Sequence, residues 1–101
     1  NDTKWVEIPE WEAKVKIKAL TKADQVKLRK TSAVRGVVDE TKLEQNLLMF
    51  SLVEPRLTFD QVYELYSNSD AKAICRLTAA CLAFSGLTED YILEAEQDMK
   101  S

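Results

Sequence analysis

Hydrophobic and charged residues alternate along the first part of the chain. From Trp11 to Ala19 the odd-numbered positions are apolar and the even-numbered ones are charged, including Lys14, Lys16 and Lys18. Such alternation is typical of a strand that buries one face and exposes the other. A shorter apolar run, Trp5–Ile8, precedes it across the turn-forming Pro9. The two runs predict an N-terminal β-hairpin that packs on other elements, because an isolated hairpin is only marginally stable.

After Leu20 the apolar residues recur at helical spacing. Their pattern and the N-cap residues before it predict about five helices, which begin near Thr21, Asp39, Thr58, Ala73 and Thr88. Pro55 prevents the second helix from continuing beyond Val53, and Gly86 stands where a C-terminal cap of the fourth helix is expected. Ser32–Val38, which contains Gly36, is predicted to be a loop. The expected fold class is α+β, with the hairpin packed on a small, predominantly helical bundle.

The second predicted helix, from about Asp39 to Val53, is apolar on more than one side. One stripe consists of Leu43, Leu47 and Phe50. Outside that stripe lie Leu48, Met49, Leu52 and Val53. A helix that is apolar nearly all round is either central or covered by a partner, and the helix at 73–85 also has the composition of a central one. Leu48, Met49 and Leu52 are therefore candidate partner-binding residues, and the alternative is that the bundle itself buries them.

Composition excludes most catalytic chemistry. The 101 residues contain no histidine, which removes Ser–His and Cys–His pairs and the commonest metal ligand. Cys75 and Cys81 would lie about 9 Å apart along one helix, too far for a disulfide. Two isolated glycines cannot form a phosphate-binding loop. We predict a non-enzymatic protein with no catalytic residues, no cofactor and no metal site.

Positive charge is concentrated near the start of the chain. Residues 1–38 carry nine Lys or Arg against five Asp or Glu, whereas residues 39–101 carry five against twelve, for a net charge of -3. The strand lysines with Trp5 and Trp11 could in principle bind single-stranded nucleic acid. Alternation, however, places Trp11 on the face opposite the lysines, while the register of Trp5 is open. The favoured interpretation is a charged outer face over a buried aromatic pair.

Length and hydropathy indicate one domain spanning residues 1–101. No stretch approaches the roughly 20 uncharged apolar residues of a membrane span, and no signal-peptide pattern precedes the first strand, so we expect a cytoplasmic protein. The chain begins at Asn1 rather than Met. Residues 1–4 are expected to be a tag remnant or disordered, unless the chain begins inside a longer protein.

Three segments in a fixed order resemble a known family. They are WVEIPEWEAKVKIKALT, DETKLEQNLLMFSLVEPRLTFDQVYELY and SDAKAICRLTAACLAFSGLTED. Their best markers are Lys18-Ala19-Leu20-Thr21, Leu52-Val53-Glu54-Pro55 and Ser85-Gly86-Leu87. This order, from about Trp5 to Leu93, resembles the XkdN-like tail assembly chaperones of long-tailed phages and prophages of Gram-positive bacteria.

The resemblance implies a chaperone that keeps the tape measure protein soluble in the host cytoplasm during tail assembly and leaves before the virion is complete. The tail tube protein is a second candidate partner. Whether the protein forms a homo-oligomer is left open by the sequence. Residue roles cannot be transferred, because the family has no motif of functional residues. Leu48, Met49 and Leu52 would cover apolar stripes of the client in a helix-in-groove manner. The alternative function is a small adaptor or regulatory module that binds another protein or single-stranded nucleic acid.

Overall fold

The computed structural model describes residues 2–87. The elements in chain order are β1 (Thr3–Ile8), a 3-10 turn (Pro9–Trp11), β2 (Ala13–Lys18), α1 (Lys22–Thr31), β3 (Ala33–Val34), β4 (Val37–Val38), α2 (Glu40–Ser51), β5 (Leu52–Glu54), α3 (Phe59–Asn68) and α4 (Ala71–Phe84). The fold class is α+β, as the sequence predicted, with four α-helices in the described range. The fifth predicted helix, after Thr88, lies outside the described residues.

The predicted N-terminal hairpin belongs to a larger sheet. β1 and β2 pair antiparallel, with Thr3 opposite Lys18 at one end and Ile8 opposite Ala13 at the other. Thr3 and Lys4 are therefore part of strand β1. A third strand, β5, pairs antiparallel with the other side of β2, so the sheet order is β1–β2–β5.

β5 replaces the predicted end of the second helix. α2 stops at Ser51, two residues before the expected end, and Leu52–Glu54 turns into the sheet. Glu54 precedes a proline, a position that disfavours helical backbone. The Arg56 guanidinium donates hydrogen bonds of 3.2 and 3.1 Å to the carbonyls of Met49 and Leu52, which the helix end leaves without intrahelical partners.

Local capping explains where the helices begin. Thr21 and Thr58 form reciprocal capping boxes with Asp24 and Gln61, as the third residue of each helix returns a side-chain hydrogen bond. Asp39 caps α2 through a hydrogen bond from the Lys42 backbone amide. The starts predicted at positions 21, 39 and 58 are thus confirmed. α4 begins two residues earlier than predicted, because Asp70 supplies its N-cap.

The C-terminal end of α4 has the cap that the sequence predicted. Gly86 has a left-handed backbone, with φ of 75°. Its amide donates to the Ala83 carbonyl at 3.0 Å, and the Leu87 amide donates to the Leu82 carbonyl at 2.7 Å. These two bonds define a Schellman motif.

The segment predicted as a loop between α1 and α2 contains a short hairpin. Ala33–Val34 pairs with Val37–Val38, and the two connecting residues, Arg35 and Gly36, have φ of 54° and 80°. Positive φ at both positions indicates a type I′ turn, which matches the twist of paired strands. The loop prediction is wrong here because strands of two residues are too short to produce an alternating pattern.

The core lies between the inner face of the sheet and the helices α2 and α4. From the sheet it takes Ile8, Val15 and Ile17. From the helices it takes Leu43, Leu47, Leu48, Val62, Ala73, Leu77 and Cys81. α2 packs against α1, α3 and α4, and α4 also contacts the sheet. Within residues 2–87, no helix combines the length and apolar character needed to cross a membrane.

Candidate partner-binding surfaces

An apolar pocket of about 290 Å³ opens where the sheet meets α3 and α4. It is lined by Trp11, Ala13, Lys14, Val15, Leu52, Pro55, Leu57, Leu65 and Leu77. Val15, Leu52 and Leu77 belong to the buried core, whereas Trp11, Leu57 and Leu65 are only half-buried. The volume is just below the roughly 300 Å³ at which small-molecule sites begin. Its lining is apolar apart from Lys14, so the pocket suits apolar groups.

The wall that carries Trp11 is tied to α4 by an ion pair. Glu10 accepts hydrogen bonds of 3.0 Å each from Nε and Nη2 of Arg76. The two hydrogen bonds and the nearby positive charge lower the pKa of the Glu10 carboxyl. This contact fixes the 3-10 turn against the helix, and Trp11 is the last residue of that turn. One wall of the pocket is thus connected to α4 by two residues that are far apart in the sequence.

A second surface is the outer face of the sheet, away from the core. Trp5 lies directly opposite Lys16 in the pairing of β1 with β2, so the two side chains share this face. Trp5 is 46% exposed. Lys14 Nζ and Lys16 Nζ lie 5.1 and 5.7 Å from the ring centroid, within the range of cation–π attraction. The predicted buried aromatic pair is therefore wrong for Trp5, because the hairpin register places it among the lysines.

A third surface is formed by two aromatic residues on α3. Phe59 and Tyr63, one helical turn apart, are 47% and 51% exposed, while Val62 between them is buried. Tyr66 connects α3 with α2: its hydroxyl donates a hydrogen bond of 2.5 Å to Oε1 of Glu44 on α2. Burial and the adjacent carboxylate raise the pKa of Tyr66 to about 12. The helical spacing of these residues was visible in the sequence, but not which of them the core covers.

The residues predicted to form the partner-binding face are placed mostly inside. Leu48 and Leu52 are 0% and 2% exposed. Met49 is half-buried against the core. Leu48 and Leu52 are enclosed because α2 packs against three helices and Leu52 turns into the sheet, which is the alternative that the sequence left open. Leu52 nevertheless lines the apolar pocket, whereas its neighbours Pro55 and Leu57 were not singled out by the sequence.

The two cysteine thiols differ in their exposure. Cys75 is exposed and Cys81 is buried, and both thiols are free. Burial raises the pKa of the Cys81 thiol to about 11, which keeps it protonated and unreactive at neutral pH. Among residues 2–87, no group of three or more Asp, Glu or Cys side chains is placed to hold a metal ion.

Comparison of the chain with protein-family models, curated proteins and solved structures gave no match. The resemblance to tail assembly chaperones therefore stays a prediction from the sequence. The structure itself shows an apolar pocket and exposed aromatic side chains on two other faces.

Proposed function

We propose that this protein is a non-enzymatic tail assembly chaperone that binds the tape measure protein and keeps it soluble during tail morphogenesis. The observation that carries the proposal is the apolar pocket with Leu57 and Leu65 at its rim, because it offers a preformed site for apolar side chains of a client. The order of the three sequence segments between Trp5 and Leu93 supports the biological setting. The domain acts in the host cytoplasm and departs before the virion is complete.

Weak binding at each pocket suits this role. A tape measure protein is a long helical chain whose apolar stripes favour aggregation until tail tube subunits surround it. Inserting one Leu or Phe side chain into an apolar pocket contributes about 1.5–3 kcal/mol. One domain therefore binds weakly and releases readily, and several copies along one client raise the overall affinity through avidity.

The test is co-expression with the tape measure protein encoded in the same tail gene cluster. The domain is expected to raise the soluble fraction of that protein and to co-purify with it. Leu57→Asp places a charge at the pocket rim and should abolish both effects. Val26→Asp is the matched control, since Val26 is exposed on α1 and does not line the pocket. Circular dichroism verifies that both variants fold.

Two results would contradict the proposal. One is a tape measure protein that aggregates equally with and without the domain. The other is a soluble complex that Leu57→Asp and Val26→Asp preserve equally well, because the pocket would then not be the binding site.

A second candidate function is binding of single-stranded nucleic acid on the outer face of the sheet. The observation that favours it is the exposed Trp5 beside Lys14 and Lys16. Against it stand Glu7 and Glu54, which lie opposite these same lysines, and the net charge of -3. Fluorescence anisotropy with a labelled oligonucleotide distinguishes the two functions. Nucleic-acid binding weakens steeply with added salt, whereas apolar client binding does not.

A further inference from the structure

β1 forms an open edge of the sheet. It pairs with β2 on one side, and no other strand among residues 2–87 pairs with its second side. β1 is six residues long, whereas β5 at the opposite edge has three. A strand edge of this length presents a row of backbone donors and acceptors to any strand that can match it.

The register of the hairpin identifies which backbone groups face outward. The Ala19 amide donates to the Asp2 carbonyl at 3.1 Å, in continuation of the pairing in which Thr3 lies opposite Lys18. In an antiparallel pair, positions that exchange hydrogen bonds alternate with positions that do not. The even-numbered residues of β1 therefore bond to β2. The N–H and C=O groups of Thr3, Trp5 and Glu7 point away from it.

We propose that this edge pairs antiparallel with β1 of a second copy of the same chain, to make one continuous six-stranded sheet. In the two-fold symmetric register, Trp5 lies opposite Trp5 of the second copy and Thr3 lies opposite its Glu7. Every outward N–H and C=O group of the three residues then has a partner, which gives six hydrogen bonds between the copies. If the register between the two β1 strands shifts by two residues, one of the three hydrogen-bonded residue pairs is lost. If it shifts by one residue, the outward backbone groups of one strand face residues whose groups point to β2.

Side chains on the outer face suit this register. The half-exposed Trp5 indole gains its own symmetry mate as a neighbour, and aromatic cross-strand pairs stabilise sheets. Glu7 lies opposite the neutral Thr3 of the second copy. On the far side of that Thr3, across its own hairpin, lies the second copy's Lys18. On the inner face, Lys4 lies opposite Val6 and is only diagonal to the other Lys4, about 7–8 Å away. No like charges stand directly opposite each other.

The chemistry of the edge favours a second copy over a helical client. A helix satisfies its own backbone groups and cannot extend a sheet, whereas residues 3–7 of β1 can pair with residues 3–7 of a second copy in this register. This inference does not depend on the proposed function. If both hold, pairing joins two apolar pockets in one assembly and raises its avidity for a client.

Amide hydrogen exchange of the full chain, followed by NMR at about 20 μM and about 1 mM, tests the pairing without any variant. The amides of Thr3, Trp5 and Glu7 should exchange more slowly at the higher concentration, while those of Arg35 and Gly36, in the turn between β3 and β4, stay unchanged. For a dissociation constant on the order of 100 μM, mass action gives about a fourfold difference. Fast exchange of the three outward amides at both concentrations would overturn the proposal. So would equal protection at both, because the edge would then be covered by something other than a second copy.

A proline substitution provides an independent test. Trp5→Pro removes an outward donor without removing any hydrogen bond to β2, so the variant should fold and remain monomeric in sedimentation equilibrium. The matched control is Trp5→Thr, which also removes the indole but keeps the donor, and it should still self-associate. Dimers of Trp5→Pro as stable as those of Trp5→Thr would overturn the proposal. If Trp5→Pro fails to fold, the exchange experiment decides.

Discussion

Glu10 and Arg76, 66 positions apart in the sequence, form a two-pronged ion pair with both hydrogen bonds at 3.0 Å. The pair joins the turn between β1 and β2 to the middle of α4. Because Trp11 follows Glu10 directly, the same contact positions one wall of the apolar pocket. An exposed ion pair contributes little to overall stability. Its main effect is to position the turn that carries Trp11 against α4.

Removing this ion pair should lower stability slightly and only above acidic pH. The folded-state pKa of Glu10 is lowered from its ordinary value of 4.5, so the stabilisation is present above that pH and is lost as pH falls through the lowered pKa. We expect Arg76→Gln to melt below the wild type at neutral pH and together with it once the pH lies below the lowered pKa of Glu10. Thermal denaturation at both pH values measures this, with the exposed Arg35→Gln as control. A difference that persists at acidic pH would contradict the assignment.

Alanine substitution at Leu48 and at Met49, which are neighbours on α2, should show which of the two side chains belongs to the core. Leu48→Ala is expected to lower the free energy of unfolding by about 2–5 kcal/mol, because it leaves a cavity in a fully buried site. Met49→Ala should cost clearly less, since Met49 is half-buried. Urea denaturation measures both. Equal losses, or loss of client binding by Leu48→Ala without loss of stability, would restore Leu48 as a surface residue.

The glycine that ends α4 is required for its backbone rather than for space. A Cβ atom added at Gly86 would meet nothing within 4 Å, but the φ of 75° is unfavourable for residues with side chains. We expect Gly86→Ala to lower the free energy of unfolding by about 1 kcal/mol. Gly86→Asn should lose less, because asparagine tolerates this conformation. The prediction fails if the alanine variant is as stable as the wild type.

The two cysteines should differ sharply in reactivity. Cys75 is exposed, whereas Cys81 is buried with its pKa raised to about 11. At about pH 8, iodoacetamide should modify Cys75 readily and Cys81 only when the protein is unfolded, because the thiolate is the reactive form. Mass spectrometry of the alkylated protein, with and without denaturant, counts the labels. Rapid labelling of native Cys75→Ser would show that Cys81 is accessible.

Helix starts and the α4 cap could be predicted because their causes are local. Thr21, Thr58 and Asp39 each accept a hydrogen bond from a backbone amide three residues later, and Gly86 acts within a single turn. The alternation that marks β2 is equally local, since it needs only one buried face. These features would form in the same places under many different packings of the chain.

The candidate binding surfaces could not be predicted in this way, because each depends on contacts between distant segments. Strand β5 is defined by its pairing with β2, which lies more than 30 residues earlier in the chain. The apolar pocket collects residues from the hairpin, β5 and its following loop, α3 and α4. No spacing rule indicates that Leu57 and Leu65 meet at one opening. Sequence periodicity identified a surplus of apolar residues but not which of them remain accessible.

By itself, the sequence determined the α+β class, where the helices begin and the two faces of β2, through hydrogen bonds and side-chain periodicity that act within a few residues. The tertiary structure alone decided three things: that Trp5 joins the lysine face, that Leu48 is buried, and that an apolar pocket opens beside Trp11. The physical reason is that strand register and helix enclosure are properties of pairs of segments. A pattern within one segment cannot specify what the other segment covers.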